Sequence, residues 1–363
     1  MRQVKHVMST RALSIHMGSE AATRIADKGW SANLFGLLLG ASGGPKWFIL
    51  AQLDRLLFGD FLLRSDKPLT TLGSSIGSWR NTCLATSDPA AAIERLEQGY
   101  LYQKYDSEKP SIHEVSEVSC NILDQMLGDD GRLHVVEHPR IRTHIVTARG
   151  RGPSASTSTP VLASGMGVAA LGNTVSRKLL KHHFQRVVFY SGQQPDEELA
   201  LTDFHTHFSP LRENNLAQSL HASGAIPFVL TGERDIPNAP AGQYWDGGII
   251  DYHFDLRQLH CERLTLYPHF RAGVTPGWFD KFLPWRKGAL HEAQKLVLLC
   301  PSEEFVATLP QGKIPDRSDF TRMKPEERIG YWEQCVDASK ALAEEFAALI
   351  EGSDPLAGVT VYR

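Results

Sequence analysis

Three short stretches carry residue types whose spacing allows chemistry. Gly73-Ser74-Ser75-Ile76-Gly77 is a G-x-S-x-G pattern. A serine hydroxyl becomes a nucleophile when a sharp strand-to-helix turn exposes it, with small neighbours and a base beside it. Asp246-Gly247-Gly248, after Tyr244-Trp245, reads by itself as an Asp-Gly turn. Gly40-Ala-Ser-Gly-Gly-Pro-Lys46 is a glycine-rich turn with a cation at its end. Such a turn can hold an anion: a nucleotide phosphate, or the oxyanion formed when an ester carbonyl is attacked. Gly40 and Lys46 fit the phosphate frame G-x-x-x-x-G-K-[ST]. Pro45 and Trp47 break that frame, because they replace its second glycine and its magnesium-binding hydroxyl. Proline also removes one N–H donor that a phosphate cradle needs.

The elements around these stretches must position them. The apolar run from Asn33 to Gly40 reads as a buried strand, and Pro45 suits the first turn of a following helix. Pro68 to Gly73 reads as a second strand, and Trp79 to Ala85 as the start of a helix. Further strands are expected at Thr143–Ala148, Arg186–Ser191, Leu264–Tyr267 and Lys295–Leu299. Glu213 to Ala222 is helical in pattern, and Pro325 to Ile350 reads as one long C-terminal amphipathic helix. The segment 150–174 is rich in Gly, Ser, Thr and Ala and reads as a mobile loop or lid. Strands alternating with helices predict a layered α/β fold. Residues 1–32 are expected to form an N-terminal helical extension, and 33–363 a single domain.

Bulk properties narrow the function. Of 363 residues, 42% are apolar and 22% charged, ordinary for a globular chain. The net charge of −3 gives no electrostatic case for a nucleic-acid partner. Five cysteines occur without C-x-x-C spacing, which points to free thiols in a reducing compartment. The N-terminus lacks the apolar core of a secretory signal, and no run is long enough to cross a bilayer. A cytoplasmic protein without metal or cofactor is expected.

The order of the motifs resembles the patatin-like phospholipase family. In that family a glycine-rich turn of the form G-G-G-x-[RK]-G precedes G-x-S-x-G, and D-G-[GA] follows. Members are lipid acyl hydrolases with a Ser-Asp dyad and no catalytic histidine. The resemblance covers about residues 33 to 255. It implies a three-layer α/β/α sandwich with a central, mostly parallel sheet, and a lipid or acyl-ester substrate. It makes Ser75 the nucleophile, Asp246 the base, and Gly43 and Gly44 the oxyanion donors. Lys46, Gly73, Gly77, Gly247 and Gly248 take supporting positions. Ala222 to Pro227 resembles the family's Ala-Ser-Ala-Ala-x-Pro stretch. Ser42 and Trp47 depart from the family's glycines, and Lys46 stands where arginine is commoner.

Other chemistries fit parts of the chain. A Ser-His-Asp triad would draw its histidine from His253, His260 or His269, all after Asp246. A metal site would use Asp203, His205 and His207, because His-x-His puts both rings on one face of a strand. A non-catalytic nucleotide- or lipid-binding module would use the glycine turn alone. Finally, Pro276 to Lys287 packs Trp278, Phe279 and Trp285 beside Lys281, Arg286 and Lys287. Rings with cationic neighbours suit peripheral contact with a membrane interface.

Overall fold

The computed structural model describes residues 11–107, 109–286, 288 and 290–362. Its centre is a sheet of eleven strands. They are β1 (Leu13–Met17), β2 (Phe35–Gly40), β3 (Leu69–Ser74), β4 (Ile141–Gly150), β5 (Phe184–Tyr190), β6 (Thr206–Pro210), β7 (Glu233–Arg234), β8 (Gln243–Asp246), β9 (Leu264–Pro268), β10 (Leu296–Pro301) and β11 (Val359–Val361). The order is β11-β1-β10-β9-β2-β3-β4-β5-β6, with β7 on β8 and β8 on β4. From β10 through β9, β2 and β3 to β4 every pairing is parallel. Antiparallel pairs close both ends of that run: β1 on β10, and β5 and β8 on β4. Every residue of β2, β3, β9 and β10 is buried. Helices cover both faces, which is why these strands read as continuous apolar runs rather than alternating ones. The architecture is the expected three-layer α/β sandwich.

Connections leave β2 in two senses. The chain steps from β2 to β3 to β4 in one direction, while β9 and β10 extend the sheet in the other. The crevice beyond the carboxyl ends of β2 and β9 is therefore a topological switch point, where open α/β sheets bind ligands.

Three expectations meet a different structure. The N-terminal segment is not helical throughout. Residues 1–10 lie outside the described residues, and Leu13–Met17 is a strand paired with β10 and β11, followed by a helix at Ser19–Lys28. LSIHM alternates buried and half-buried positions, a period of two that fits a strand and not a helix. The expected loop at 150–174 contains a helix, Thr159–Val175, with proline in its first turn. Its small residues allow close approach. A Cβ on Gly165 would lie 2.6 Å from the Ser154 nitrogen. Its inner face, including Leu162, Met166 and Ala169, joins Phe184, Trp245, Ile249 and Ile250 in a second apolar cluster. The C-terminal helix is two helices, Pro325–Ala338 and Lys340–Glu351. They meet at Ser339, whose hydroxyl donates back to the Val336 carbonyl at 2.7 Å.

Candidate active site

Ser75 lies immediately after β3, at the start of the helix Ile76–Cys83. Its backbone is at φ 54°, ψ −133°. A non-glycine residue rarely occupies that region, and holding one there costs about 1–3 kcal/mol. The flanking glycines make the turn feasible. A Cβ on Gly73 would lie 2.5 Å from the Ser78 Cα, and one on Gly77 would lie 2.0 Å from the Gly40 carbonyl oxygen. The pattern G-x-S-x-G is thus a packing requirement between the turn after β3 and the end of β2.

Asp246 ends β8, which pairs antiparallel with β4 through Thr147. Ser75 Oγ donates to Asp246 Oδ2 at 2.8 Å, and Gly248 N–H donates to Oδ1 at 2.7 Å. Both glycines after Asp246 are sterically required. A Cβ on Gly247 would meet the Val146 carbonyl oxygen at 2.2 Å, and one on Gly248 would meet Ser42 Oγ at 2.6 Å. Behind the turn, Asp251 N–H donates to the Gly247 carbonyl at 2.8 Å. The Asp251 carboxylate takes Arg186 Nε and Nη2 at 2.6 and 2.7 Å, and Arg186 Nη1 reaches Asp203 at 2.7 Å. The loop carrying Asp246 is thereby tied to β5 through a buried arginine.

The glycine turn runs beside this pair. Ser42 N–H donates to the Tyr252 carbonyl at 2.9 Å, and Ser42 Oγ donates to Ser74 Oγ at 3.1 Å. These bonds fix the turn to the segment after Asp246 and to the residue before Ser75. The N–H groups of Gly43 and Gly44 donate to no protein acceptor among the described residues. Gly44 sits at φ 56°, a left-handed conformation that favours glycine. A Cβ on Gly43 would strike the Phe270 ring at 2.8 Å. Lys46 points away from the pair, to Asp316 Oδ2 at 3.3 Å and over the Phe270 ring at 5.4 Å.

Electrostatics favour a base at Asp246. Burial pushes its carboxyl above the usual carboxylate range, while the Ser75 and Gly248 hydrogen bonds and the charges of Arg317 and Lys281 pull the other way. Ser75 and Asp246 retain only 6% and 7% of their surface to solvent, so water screens these interactions little.

Sequence reasoning missed Ser223. Its hydroxyl accepts from Ser75 N–H at 2.9 Å and donates to the Val146 carbonyl at 2.7 Å. It bridges the serine turn to β4. The signal was the small-residue stretch Ala222–Pro227, which holds this residue. Tyr252, whose carbonyl holds Ser42, and Lys281 and Arg317, whose charges act on Asp246, were missed in these roles, because nothing in their spacing links them.

The histidines stand elsewhere. Among the described residues no histidine bonds to Ser75 or Asp246. His253 Nδ1 accepts from Thr275 N–H at 3.0 Å, and His269 Nδ1 lies 2.6 Å from the Arg271 carbonyl. Burial lowers both imidazoles, His269 to about 3. His260 is exposed. Asp203, His205 and His207 form no metal group, and no set of three or more His, Cys, Asp or Glu among the described residues is placed to hold one. Asp203 is instead spent on Arg186.

The aromatic stretch divides. Trp285 and Phe282 are 71% and 73% exposed, whereas Phe279 retains 6% and Trp278 packs against its cluster. Phe279 is buried in the cluster that takes the inner face of the helix Thr159–Val175, and Trp278 is half-buried beside it. Lys287 lies outside the described residues. No helix among the described residues is long and apolar enough to cross a membrane.

No protein-family model matches the chain, and no curated protein matches it. Among solved structures it is similar to VipD from Legionella pneumophila, at 15% identity and a TM-score of 0.32, covering 98% of this chain and 77% of that one. A TM-score that low carries no argument about the site.

Proposed function

We propose that the protein is a serine acyl hydrolase of lipid esters, of the patatin-like phospholipase A or lysophospholipase type. The observation that carries this reading is the 2.8 Å bond from Ser75 Oγ to Asp246 Oδ2, made at a strained turn beside two unspent glycine N–H groups. Ser75 Oγ attacks the acyl carbonyl carbon and its proton passes to Asp246 Oδ2. The carbonyl oxygen becomes an oxyanion between the N–H groups of Gly43 and Gly44. The intermediate collapses, and the leaving alcohol takes the proton from Asp246. Water then attacks the acyl-enzyme. Asp246 accepts its proton and returns one to Ser75 as the fatty acid leaves. The test is hydrolysis of p-nitrophenyl esters of graded chain length by the wild type and Ser75→Ala. Ser75-dependent turnover supports the reading, and turnover that survives Ser75→Ala refutes it.

A lipid surface is the proposed peripheral partner, met through Trp285 together with residues of a helix that the sequence did not indicate. The outer face of the helix Thr159–Val175 is apolar as well as its inner one. Val161, Val168, Leu171 and Val175 are 44%, 56%, 71% and 79% exposed, and their spacing sets them in one stripe. Asn173 on the inner face of that helix bonds to Asp280 at 2.8 Å, which ties the helix to the segment that carries Phe282 and Trp285. Lys178 and Lys181 follow it, and residues 138–195 contain neither Asp nor Glu. Apolar protrusions with a one-sided positive rim complement an anionic bilayer. Changing Leu171, Phe282 and Trp285 together to serine should weaken binding to phosphatidylglycerol vesicles in co-sedimentation by about tenfold or more, since each buried side chain contributes roughly 1.5–3 kcal/mol. Hydrolysis of a water-soluble ester should persist.

A further inference from the structure

A cavity of 620 Å³ opens at the switch point between β2 and β9. Lys46 from the turn after β2 and Phe270 and Arg271 from the segment after β9 line it, and Tyr252, Lys281 and Arg286 complete its polar wall. A second cavity of 350 Å³ shares Lys46, Phe270 and Arg271 and adds Lys313 and Arg322. Phe270 separates the first cavity from Gly43, whose missing Cβ would touch its ring. The cavity therefore borders the glycine turn without containing Ser75.

Its charge is one-sided. Among the described residues Asp280 is the single acid lining the first cavity. That carboxylate is already committed, to Asn173 at 2.8 Å and Gly277 N–H at 3.0 Å, with Arg177 and Arg286 at 3.5 and 3.6 Å. Asp316 in the second cavity serves Lys46. Arg271 has no acidic partner among the described residues. Its Nε donates to the Gly273 carbonyl at 3.0 Å and its Nη2 to Thr275 Oγ1 at 2.6 Å, which aims the guanidinium without neutralising it. Lys281 has no acidic partner there either, and its Nζ lies 3.7 Å from the Tyr252 ring centroid. Loss of hydration, then repulsion from Lys46 and Arg317, pushes the Lys281 ammonium down to about 7. Lys281 stays exposed along part of its length, so water screens part of that repulsion. Arg271 and Lys281 thus line one cavity with no acidic partner of their own among the described residues, which suits an anion.

The aromatic faces disfavour a choline headgroup. A choline headgroup is recognised by open aromatic rings. Here Lys281 covers Tyr252, and Lys46 lies over Phe270. The two rings that would cage a quaternary ammonium already carry ammonium groups.

We propose that this cavity binds the phosphate of a net-anionic headgroup, so that the preferred substrate is an acyl ester of the phosphatidate, lysophosphatidate or phosphatidylglycerol kind. That such a lipid is a substrate rests on the acyl-hydrolase reading; that its headgroup binds here rests on the cavity alone. Arg271 offers the planar fork that matches phosphate oxygens, and Lys281 and Lys46 supply point charges.

The experiment separates the two. Ser75→Ala protein is titrated calorimetrically with monomeric dihexanoyl phosphatidate and with dihexanoyl phosphatidylcholine. Phosphatidate should bind at least about tenfold more tightly, and Arg271→Gln with Lys281→Gln added to Ser75→Ala should erase the difference. Thermal melting of each variant reports whether it is folded, and the ratio from Ser75→Ala alone decides if the added changes unfold it. Equal affinity for the two lipids overturns the proposal. Inorganic phosphate is the third ligand. Binding as tight as that of phosphatidate would make this a free-phosphate site and also overturn the headgroup assignment. If wild type fails to hydrolyse p-nitrophenyl butyrate while the phosphatidate preference stands, the acyl-hydrolase reading falls and the anion site remains.

Discussion

The dyad and the cavity beside it share a wall and obey opposite rules. Ser75 and Asp246 are bonded to each other and to fixed neighbours, and Gly73, Gly77, Gly247 and Gly248 each have a neighbour that forbids a side chain. Around Arg271 and Lys281 the charges are uncompensated and the space is open. The first region is finished before any ligand arrives, as preorganised chemistry requires. The second gains its missing charge from the ligand, as recognition requires. The strained φ of Ser75 and the buried carboxyl of Asp246 cost the fold stability for the sake of the first.

The contrast is broken most severely at the dyad. Ser75→Ala and Asp246→Asn should each lower kcat by about 10⁴-fold, and the double variant should fall little further, because both act in one step. Stability should move the other way for Asp246→Asn. The folded carboxyl titrates above its ordinary value of 3.8, so the folded state binds more protons than the unfolded one across that window. Stability therefore falls as pH rises from 3.8 to the raised value, and the loss persists at neutral pH. A neutral, isosteric asparagine removes it. Calorimetry at pH 7 should show a higher Tm for Asp246→Asn and an unchanged or lower Tm at pH 3.

The glycine turn comes next. Gly44→Val should lower kcat by about 10²–10³-fold, the effect of losing one oxyanion donor. It should cost about 1–3 kcal/mol of stability as well, because Gly44 is at φ 56°. Lys46→Ala should cost under about 1 kcal/mol, since its bond to Asp316 is half-exposed.

Two basic residues then sharpen the difference between structure and recognition. Arg186→Leu strips the buried Asp251 carboxylate of its two hydrogen bonds and leaves it only Arg177 at 3.6 Å, and should cost about 3–5 kcal/mol in denaturant unfolding. Lys281→Met removes a repelled cation and should raise Tm slightly. The sign follows from titration. The Lys281 ammonium is lowered from 10.5 to about 7, so the unfolded state binds more protons between those values. Its contribution to stability rises with pH through that range. Inorganic phosphate should flatten that rise in the wild type and leave Lys281→Met unaffected.

The fold was legible where periodicity and punctuation agree. The strands at 35–40, 69–74, 264–268 and 296–301 lie where their apolar runs end in glycine, serine or proline turns. The Ser75 and Asp246 turns were legible because a close backbone approach demands glycine at fixed offsets. The helix Thr159–Val175 was not, since glycine and threonine have weak helix propensity and packing against Ser154 overrides it. The strand Leu13–Met17 was hidden because its pairing partner lies at the far end of the chain. The cationic cavity was invisible for the same reason. Lys46 and Arg271 are brought together where the paired strands β2 and β9 end, Lys281 joins them from the segment Trp278–Phe282, and no local pattern encodes that.

The central claim is that Ser75 is a nucleophile driven by the Asp246 carboxylate. Its most direct measurement is covalent labelling with a fluorophosphonate, followed by peptide mass spectrometry across pH. The account predicts one adduct on Ser75, lost in Asp246→Asn, with a rate that falls in acid at a midpoint above 3.8, the ordinary aspartate value. An adduct on another serine, or a labelling rate at Ser75 that Asp246→Asn leaves unchanged, would contradict it.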